Sequence, residues 1–230
     1  MKKYNHIFFD LDHTLWDFEK NSEETIEEIY NKLDLQSRIK SAHELYKSFE
    51  KANRWVWDQY HKDLLGKEAF RSLRFDLALS EHNIKDEKLS LILSELYLKI
   101  CPTKPHLIPD SVNVLTILKE KYILHLISNG FEEITMQKVE TTLLQKFFQT
   151  ITTPSQSGYK KPHKQMFDFA INAAGCIAGE SIMIGDDLEA DVLGAKRFGM
   201  DCIYFNPCQV MHQEDVTYEI KSINELLSIF

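Results

Sequence analysis

Hydrophobic positions follow two different patterns in the first hundred residues. A short apolar run, residues 4–9, ends abruptly at Asp10, which is typical of a buried strand that leads into a polar loop. From about residue 22 to residue 100, apolar residues recur at helical spacing, and this stretch contains no proline and one glycine. The pattern predicts four helices, at residues 22–35, 42–61, 67–79 and 86–100.

Strands and helices alternate in the remainder of the chain, after a proline-rich connector at 101–109. Helices are predicted at 111–119, 132–144, 162–174 and 188–198, and strands at 122–127, 149–153, 181–184 and 202–205. Such alternation implies βαβ units with right-handed crossovers, which build a parallel sheet with helices on both faces. The sequence therefore predicts a doubly wound α/β core, residues 1–16 and 101–230, with an all-helical insert at 17–100.

Composition and charge limit the partners that this chain can have. The 230 residues include 27 Lys and Arg against 35 Asp and Glu, a formal net charge of −8, and no run of basic residues exceeds two. Because nucleic acids and anionic membranes are bound mainly through clustered Lys and Arg, we expect neither as a partner, but a small anionic ligand. Asp10 and Asp12 follow too closely on the start for an apolar signal sequence to form, and the four cysteines show neither the spacing nor the density of a disulfide scaffold. Both features predict a cytoplasmic protein. We also expect a monomer or a weak homodimer.

Polar residues follow the predicted strands of the core. They are Asp10, Asp12, Thr14, Ser128, Asn129, Lys160, Lys161, Asp186, Asp187 and Asp191. Because ligands of open α/β sheets bind outside the carboxyl ends of the strands, we expect these side chains to gather at one edge. Carboxylates gathered in this way repel one another unless a cation lies among them, and oxygen ligands of this type suit Mg²⁺.

Together these segments resemble the four motifs of the haloacid dehalogenase superfamily. The segments are Asp-x-Asp-x-Thr at 10–14, Ser-Asn at 128–129, Lys161 before a helix, and Gly-Asp at 185–186 with a further acid at 191. The resemblance covers the whole α/β core, and the helical insert resembles the superfamily's cap. It implies hydrolysis of a small phosphate monoester, with Mg²⁺ as cofactor, through an aspartyl-phosphate intermediate.

The resemblance also assigns the metal site. It implies that Asp10 is the nucleophile and a metal ligand, and that Asp12 is the general acid and base whose backbone carbonyl binds the metal. Asp186 would be the second acidic ligand. Asp191 would reach the metal through water or orient its ligands, and Asp187 is the weaker candidate for that role.

The remaining motif residues would bind the phosphoryl group. By the same resemblance, Thr14, Ser128 and the backbone amide of Asn129 donate hydrogen bonds to its oxygens, and Lys161 adds positive charge. We expect Lys160, its neighbour, to be a solvated loop charge.

The residue two positions after the nucleophile separates the chemistries of the superfamily. Asp12 can protonate a leaving oxygen, so the sequence favours a phosphatase over a dehalogenase or an ion-pumping ATPase. A phosphomutase is the alternative, although residues 16–31 lack the cap-hinge histidine of that branch. An inactive relative that binds Mg²⁺ or a nucleotide and a phosphorelay receiver are the alternatives that are not enzymes.

Finer details resemble the bacterial pyrimidine 5'-nucleotidase branch. They lie at 8–15, 57–60, 128–131 and 185–195, and they imply a nucleoside 5'-monophosphate substrate, with sugar phosphates as the alternative. In the insert, Trp55 falls off the apolar stripe of its helix, and we expect Arg71 and Phe75 to lie opposite the apolar face of theirs. All three are candidates for binding a base, and packing between helices is the alternative.

Overall fold

The computed structural model describes residues 4–230, apart from the side chain of Glu68. The strands are β1 (His6–Phe9), β2 (Ile123–Ile127), β3 (Phe148–Thr152), β4 (Ser181–Gly185), β5 (Asp201–Phe205) and β6 (Tyr218–Ile220). They form one sheet in the order β3-β2-β1-β4-β5-β6, and every neighbouring pair is parallel.

The chain divides into two compact units. One is formed by the chain up to Phe18 together with Pro105–Phe230, and the other is Glu19–Lys104. The helices of the second unit are α1 (Phe18–Lys32), α2 (Ala42–His61), α3 (Lys67–Ser80) and α4 (Glu87–Ile100). Those of the first unit are α5 (Ser111–Lys119), α6 (Glu132–Thr141), α7 (Pro154–Ser157), α8 (Lys164–Ala174), α9 (Gly194–Phe198) and α10 (Leu226–Ile229).

The central strand β1 is buried on both faces. Phe8 packs with Met166 and Phe167 of α8, while its neighbours Ile7 and Phe9 face the opposite side and are fully buried as well. This double burial explains the uninterrupted apolar run in the sequence. The arrangement confirms the predicted doubly wound α/β core.

The register of the sheet brings three strand ends to one level. Phe9, the last residue of β1, pairs with Leu126 of β2 and with Ile184 of β4. The next residue, Asp10, still donates its N–H to the Ile184 carbonyl at 2.9 Å. The loops that follow β1, β2 and β4 therefore start side by side at the carboxyl edge of the sheet.

Side-chain caps fix two helix starts in the helical unit. The Ser41 side chain accepts a hydrogen bond from the N–H of Glu44 at 3.2 Å, and Asp86 accepts one from the N–H of Leu89 at 3.0 Å. Such caps satisfy N–H groups that have no partner inside the helix. Because these polar residues precede apolar periodic stretches, the starts of α2 and α4 are predictable to within about one residue.

The structure departs from the predicted elements in several places, among them α1, which begins at Phe18, and the short helices α7 and α10, which the pattern does not predict. Residues 188–198, predicted as one helix, form a π-helical turn at Leu188–Leu193 that continues into α9. The strand β6 is absent from the predicted elements, because three residues are too few to establish an alternating pattern. Across residues 4–230, no helix combines the length and the apolar character needed to cross a membrane.

Two histidines pair inside the sheet. His125 of β2 is fully buried, and its Nε2 lies 3.0 Å from Nδ1 of His6 on β1. Its other ring nitrogen lies 2.8 Å from the Thr150 hydroxyl on β3, and Phe8 stacks on its ring at 4.5 Å. Burial, and then the charge of His6, lower the pKa of His125 to about 4.

We expect His125 to make the protein less stable as the pH falls from 7 to 5. The unfolded chain binds a proton at this histidine near pH 6.5, whereas the folded protein does not until about pH 4. The unfolded state therefore gains up to about 2 kcal/mol relative to the folded state by pH 5. Urea unfolding at both pH values should show a smaller pH effect for His125→Gln than for the wild type. An unchanged pH effect would contradict the assignment.

Candidate active site

The site begins in the tight turn that follows β1. The carbonyl of Leu11 accepts hydrogen bonds from the N–H groups of Leu15 at 2.9 Å and Trp16 at 2.8 Å, and His13 has a positive φ of 66°. This turn holds Asp10 and Asp12 at fixed positions on the carboxyl edge of the sheet. Asp10 is buried.

Three carboxylates meet at this edge. Asp10, Asp186 and Asp191 each place one carboxylate oxygen within 4.8 Å of the others. Asp186 follows β4 directly, and Asp191 lies in the π-helical turn. The approach of Asp191 depends on Gly185, since a Cβ at that residue would lie 2.2 Å from Asp191 Oδ2.

Lys161 lies among these carboxylates. Its Nζ is 2.6 Å from Oδ1 of Asp10 and 2.6 Å from Oδ1 of Asp191, and it donates a hydrogen bond to the Ile127 carbonyl at 2.8 Å. Burial alone would lower the pKa of Lys161, but the two carboxylate charges raise it above its usual value. The lysine is therefore held as a buried cation.

Asn129 fixes the backbone at Lys161. The Asn129 side chain accepts a hydrogen bond from the Lys161 N–H at 2.7 Å and donates one to the Lys161 carbonyl at 2.9 Å. This reciprocal pair joins the loop after β2 to the segment before α8. Ser128, the residue before Asn129, is buried, and its hydroxyl accepts a hydrogen bond from the N–H of Gly130 at 3.0 Å.

The cluster carries more negative than positive charge. Burial raises the pKa of Asp10, Asp186 and Asp191, and repulsion by Asp10 adds to this for the other two carboxylates. Lys161 opposes the increase for all three acids. Three acids around one lysine can all be ionised at low cost only if a further cation shares the site, so this donor set fits a divalent metal bound by oxygen.

Thr14 and Asp187, two other predicted site residues, differ in their relation to the three-acid cluster. The hydroxyl of Thr14 donates a hydrogen bond to Oδ1 of Asp186 at 3.0 Å. The Asp187 side chain accepts hydrogen bonds from the N–H groups of Glu189 and Ala190, at 2.9 and 2.8 Å, and so caps the π-helical turn. Thr14 thus belongs to the cluster, whereas Asp187 serves the local backbone.

Asp12 faces a residue that the sequence motifs do not include. Its Oδ1 accepts a hydrogen bond from Nζ of Lys138 at 2.5 Å, and Lys138 is buried on α6. The sequence gives little indication that Lys138 is buried. The one feature that indicates it is the helical spacing of Lys138 with Thr135 and Val139, which are buried on the same side of α6. Lys160 is also buried, so the expectation of a solvated loop charge is wrong.

The substrate candidates of the helical unit have different environments. Trp55 on α2 is 49% exposed, and Arg71 on α3 is half-buried. Phe75 is fully buried between Phe49, at a ring distance of 4.9 Å, and Tyr97, at 5.8 Å. Phe75 therefore has no face open to a ligand, and its assignment to substrate binding is corrected to packing.

The buried face of α3 contains Arg74 and Phe75, whereas the sequence pattern predicts Phe75 on the opposite face. The Arg74 guanidinium lies 4.9 Å from the ring centre of Phe70 and 5.2 Å from that of Tyr97, and it donates a hydrogen bond to Asn53 at 3.3 Å. Aromatic faces attract a cation in this geometry. A charged residue in the sequence indicates a solvent-facing position, and Arg74 breaks that rule.

Comparisons with known proteins identify a family and several relatives. The sequence profile of haloacid dehalogenase-like hydrolases matches residues 4–199. The crystal structure of HAD-hydrolase YfnB from Bacillus subtilis, bound to magnesium, is similar in fold, with a TM-score of 0.89, 22% identity and coverage of 99% of both chains.

Two curated relatives are a nucleotidase and a phosphatase. Pyrimidine 5'-nucleotidase YjjG from Escherichia coli is 24% identical over 97% of this chain and 96% of its own. A glyceraldehyde 3-phosphate phosphatase from Methanothermobacter thermautotrophicus is 27% identical over 87% of this chain and 84% of its own.

We expect Gly185→Ala to weaken Mg²⁺ binding. The new methyl group would displace the Asp191 carboxylate, and changes to groups that position metal ligands cost roughly 10- to 100-fold in metal affinity. Isothermal titration with MgCl₂ measures the loss. Gly179→Ala is the matched control, because a Cβ at that residue meets nothing within 4 Å. Equal Mg²⁺ affinity in the two variants would contradict the role of Gly185.

Proposed function

The chain belongs to the haloacid dehalogenase-like hydrolase family, and we propose that it is a magnesium-dependent phosphatase of small phosphate monoesters. The observation that carries the proposal is the cluster of Asp10, Asp186 and Asp191 around the buried Lys161 at the carboxyl edge of the sheet. The names of the nucleotidase and of the glyceraldehyde 3-phosphate phosphatase support it, since both enzymes release phosphate from a small ester.

The acidic cluster is the proposed metal site. Asp10, Asp186 and Asp191 would hold Mg²⁺ with their side chains or through water, and Asp12 would add its backbone carbonyl. When bound, Mg²⁺ supplies positive charge that offsets the repulsion between carboxylates and a phosphate dianion. The excess of acids over lysines in this buried site is what favours a divalent cation there.

Asp10 and Asp12 perform the proposed reaction in two steps. In the first, an Asp10 oxygen bonds to phosphorus while the bond to the leaving oxygen breaks, and the Asp12 carboxylic acid gives that oxygen its proton. In the second, the Asp12 carboxylate takes a proton from water as the water oxygen attacks phosphorus. The bond between Asp10 and phosphorus then breaks, which releases phosphate and regenerates the Asp10 carboxylate.

The neighbouring loops would stabilise the transferring phosphoryl group. Ser128 accepts a hydrogen bond from Gly130 and keeps an O–H with which to donate to a phosphoryl oxygen. The backbone N–H of Asn129 would donate in the same way, Thr14 would do so on releasing Asp186, to which its hydroxyl donates here, and Lys161 would add its charge. Because Asn129 and Lys161 are joined by two hydrogen bonds, these donors need little rearrangement when the substrate binds.

We propose nucleoside 5'-monophosphates as the substrates, with Trp55 and Arg71 of the helical unit contributing to substrate choice. The likeness to the pyrimidine 5'-nucleotidase and the exposed indole of Trp55 support this. Small sugar phosphates are the second candidate class, because the likeness to the glyceraldehyde 3-phosphate phosphatase is comparable. The cytoplasmic location and the monomeric or weakly dimeric state stay predictions.

We expect Asp10→Asn to abolish phosphatase activity, because an amide neither attacks phosphorus nor balances a metal charge. Release of inorganic phosphate from nucleotides and sugar phosphates, measured with Mg²⁺ and with excess EDTA, tests both the nucleophile and the metal. Asp168→Asn, which alters an exposed carboxylate on α8, is the control and should keep wild-type rates. Near-normal turnover by Asp10→Asn, or full activity in EDTA, would refute the proposal.

We expect Trp55→Ala to raise the KM for a pyrimidine nucleotide and to leave that for p-nitrophenyl phosphate nearly unchanged. Stacking on a base contributes ~1 to 3 kcal/mol, which corresponds to a change of roughly 5- to 150-fold. Leu91→Ala on α4, where the side chain is similarly exposed, is the control. If both substrates respond equally, Trp55 serves the stability of the helical unit and not the choice of base.

A further inference from the structure

Lys138 is a buried lysine at the carboxyl edge of the sheet that lies outside the four sequence motifs, in addition to Lys160 and Lys161. It lies on α6, and its ammonium contacts Oδ1 of Asp12 at 2.5 Å. The side chain of Lys138 is 7% exposed and that of Asp12 is 22% exposed. The contact is therefore a charged hydrogen bond that is largely shielded from water, and it fixes one oxygen of Asp12.

The lysine is itself held in place by aromatic rings. Its Nζ lies 4.1 Å from the ring centre of Trp16 and 5.7 Å from that of Phe18. Trp16 is fully buried, and its backbone N–H and C=O hydrogen bond to Leu11 and His13 of the turn that carries Asp12. A cation–π contact thus links Lys138 to the same turn that it contacts through Asp12.

The second oxygen of Asp12 lies close to the loop after β2. Asp12 Oδ2 is 3.9 Å from the position that a Cβ would occupy at Gly130, and the Ser128 hydroxyl is 3.2 Å from that position. The hydrogen bond to Lys138 therefore orients the carboxylate so that Oδ1 is occupied and Oδ2 points to the loop whose donors would bind the phosphoryl group.

We propose that Lys138 is a positioning residue that holds the Asp12 carboxylate in the orientation needed for proton transfer to and from the reacting oxygens. The inference rests on the proposed phosphatase function. A shielded ion pair contributes little net stability, because the cost of removing both charges from water offsets their attraction. Stability alone therefore gives no reason for a lysine at this position, whereas orientation of a proton donor does.

Substrates with different leaving groups provide the test. An alkyl phosphate needs a proton on its leaving oxygen, whereas p-nitrophenyl phosphate releases a stable anion and needs it far less. The kcat and KM values are measured for both substrates with wild type, Lys138→Met, Lys138→Arg, Asp12→Asn and the double variant Asp12→Asn/Lys138→Met. Lys146→Met is the matched control, because Lys146 also lies over an aromatic ring, that of Phe147, but is exposed.

Lys138→Met should lower kcat/KM for the alkyl phosphate by roughly 10- to 100-fold, the range for a misplaced catalytic group. For p-nitrophenyl phosphate the loss of kcat/KM should be below about threefold, because kcat/KM reports the first step, in which this leaving group needs little protonation, whereas kcat also contains the hydrolysis step that both substrates share. Lys138→Arg should restore part of the activity, and Lys146→Met should behave as wild type. In the Asp12→Asn background, the further change to Met should alter kcat by less than about twofold, because a residue that acts through Asp12 has nothing left to position.

Equal losses of kcat/KM for the two substrates, or additive losses in the double variant, would overturn the proposal and assign Lys138 to the substrate or to the fold. A crystal structure of Lys138→Met tests the inference separately from activity. We expect the Asp12 carboxylate to leave its wild-type orientation or to occupy more than one. If Asp12 keeps a single unchanged rotamer, the positioning role is refuted even if the wild type hydrolyses no phosphate ester. Failure of the wild type alone refutes only the proposed function.

Discussion

The carboxyl edge of the sheet has to accommodate the repulsion between three neighbouring carboxylates, and the other features of this edge depend on that constraint. Asp10, Asp186 and Asp191 come from two different loops, and burial makes their mutual repulsion stronger than it would be in water. Lys161 offsets part of it by contacting two of the three acids directly. The acids that Lys161 leaves uncompensated fit a cation, which would relieve the repulsion that remains.

The precision of this cluster comes from backbone geometry as much as from charge. Gly185 leaves room for Asp191 where any side chain would collide with its carboxylate. The two hydrogen bonds between the Asn129 side chain and the Lys161 backbone fix the position from which the Lys161 side chain extends. Asp191 and its counter-charge Lys161 are thus each supported by a neighbour that takes no part in charge balance, and such support limits reorganisation when a ligand binds.

Sequence reasoning succeeded where topology alone decides the outcome. Residues that follow parallel strands must reach one edge of the sheet, so Asp10, Lys161 and Asp186 could be placed together without knowledge of any side-chain contact. It failed where a charged residue points inward from a helix. Lys138 and Arg74 both occupy helical positions that a polarity pattern assigns to solvent, and each contacts an aromatic ring from another segment of the chain, Trp16 for Lys138 and Tyr97 for Arg74.

The central position of β1 has a consequence for how the chain acquires its structure. This strand is made first, yet its neighbours in the sheet, β2 and β4, begin at Ile123 and Ser181. During synthesis, β1 must wait until Ile127 for its first complete partner and until Gly185 for the second, whereas the helices of Glu19–Lys104 find their contacts nearby in sequence. An unpaired apolar strand is prone to aggregate, so the insertion of Glu19–Lys104 between β1 and β2 lengthens the time for which β1 carries that hazard.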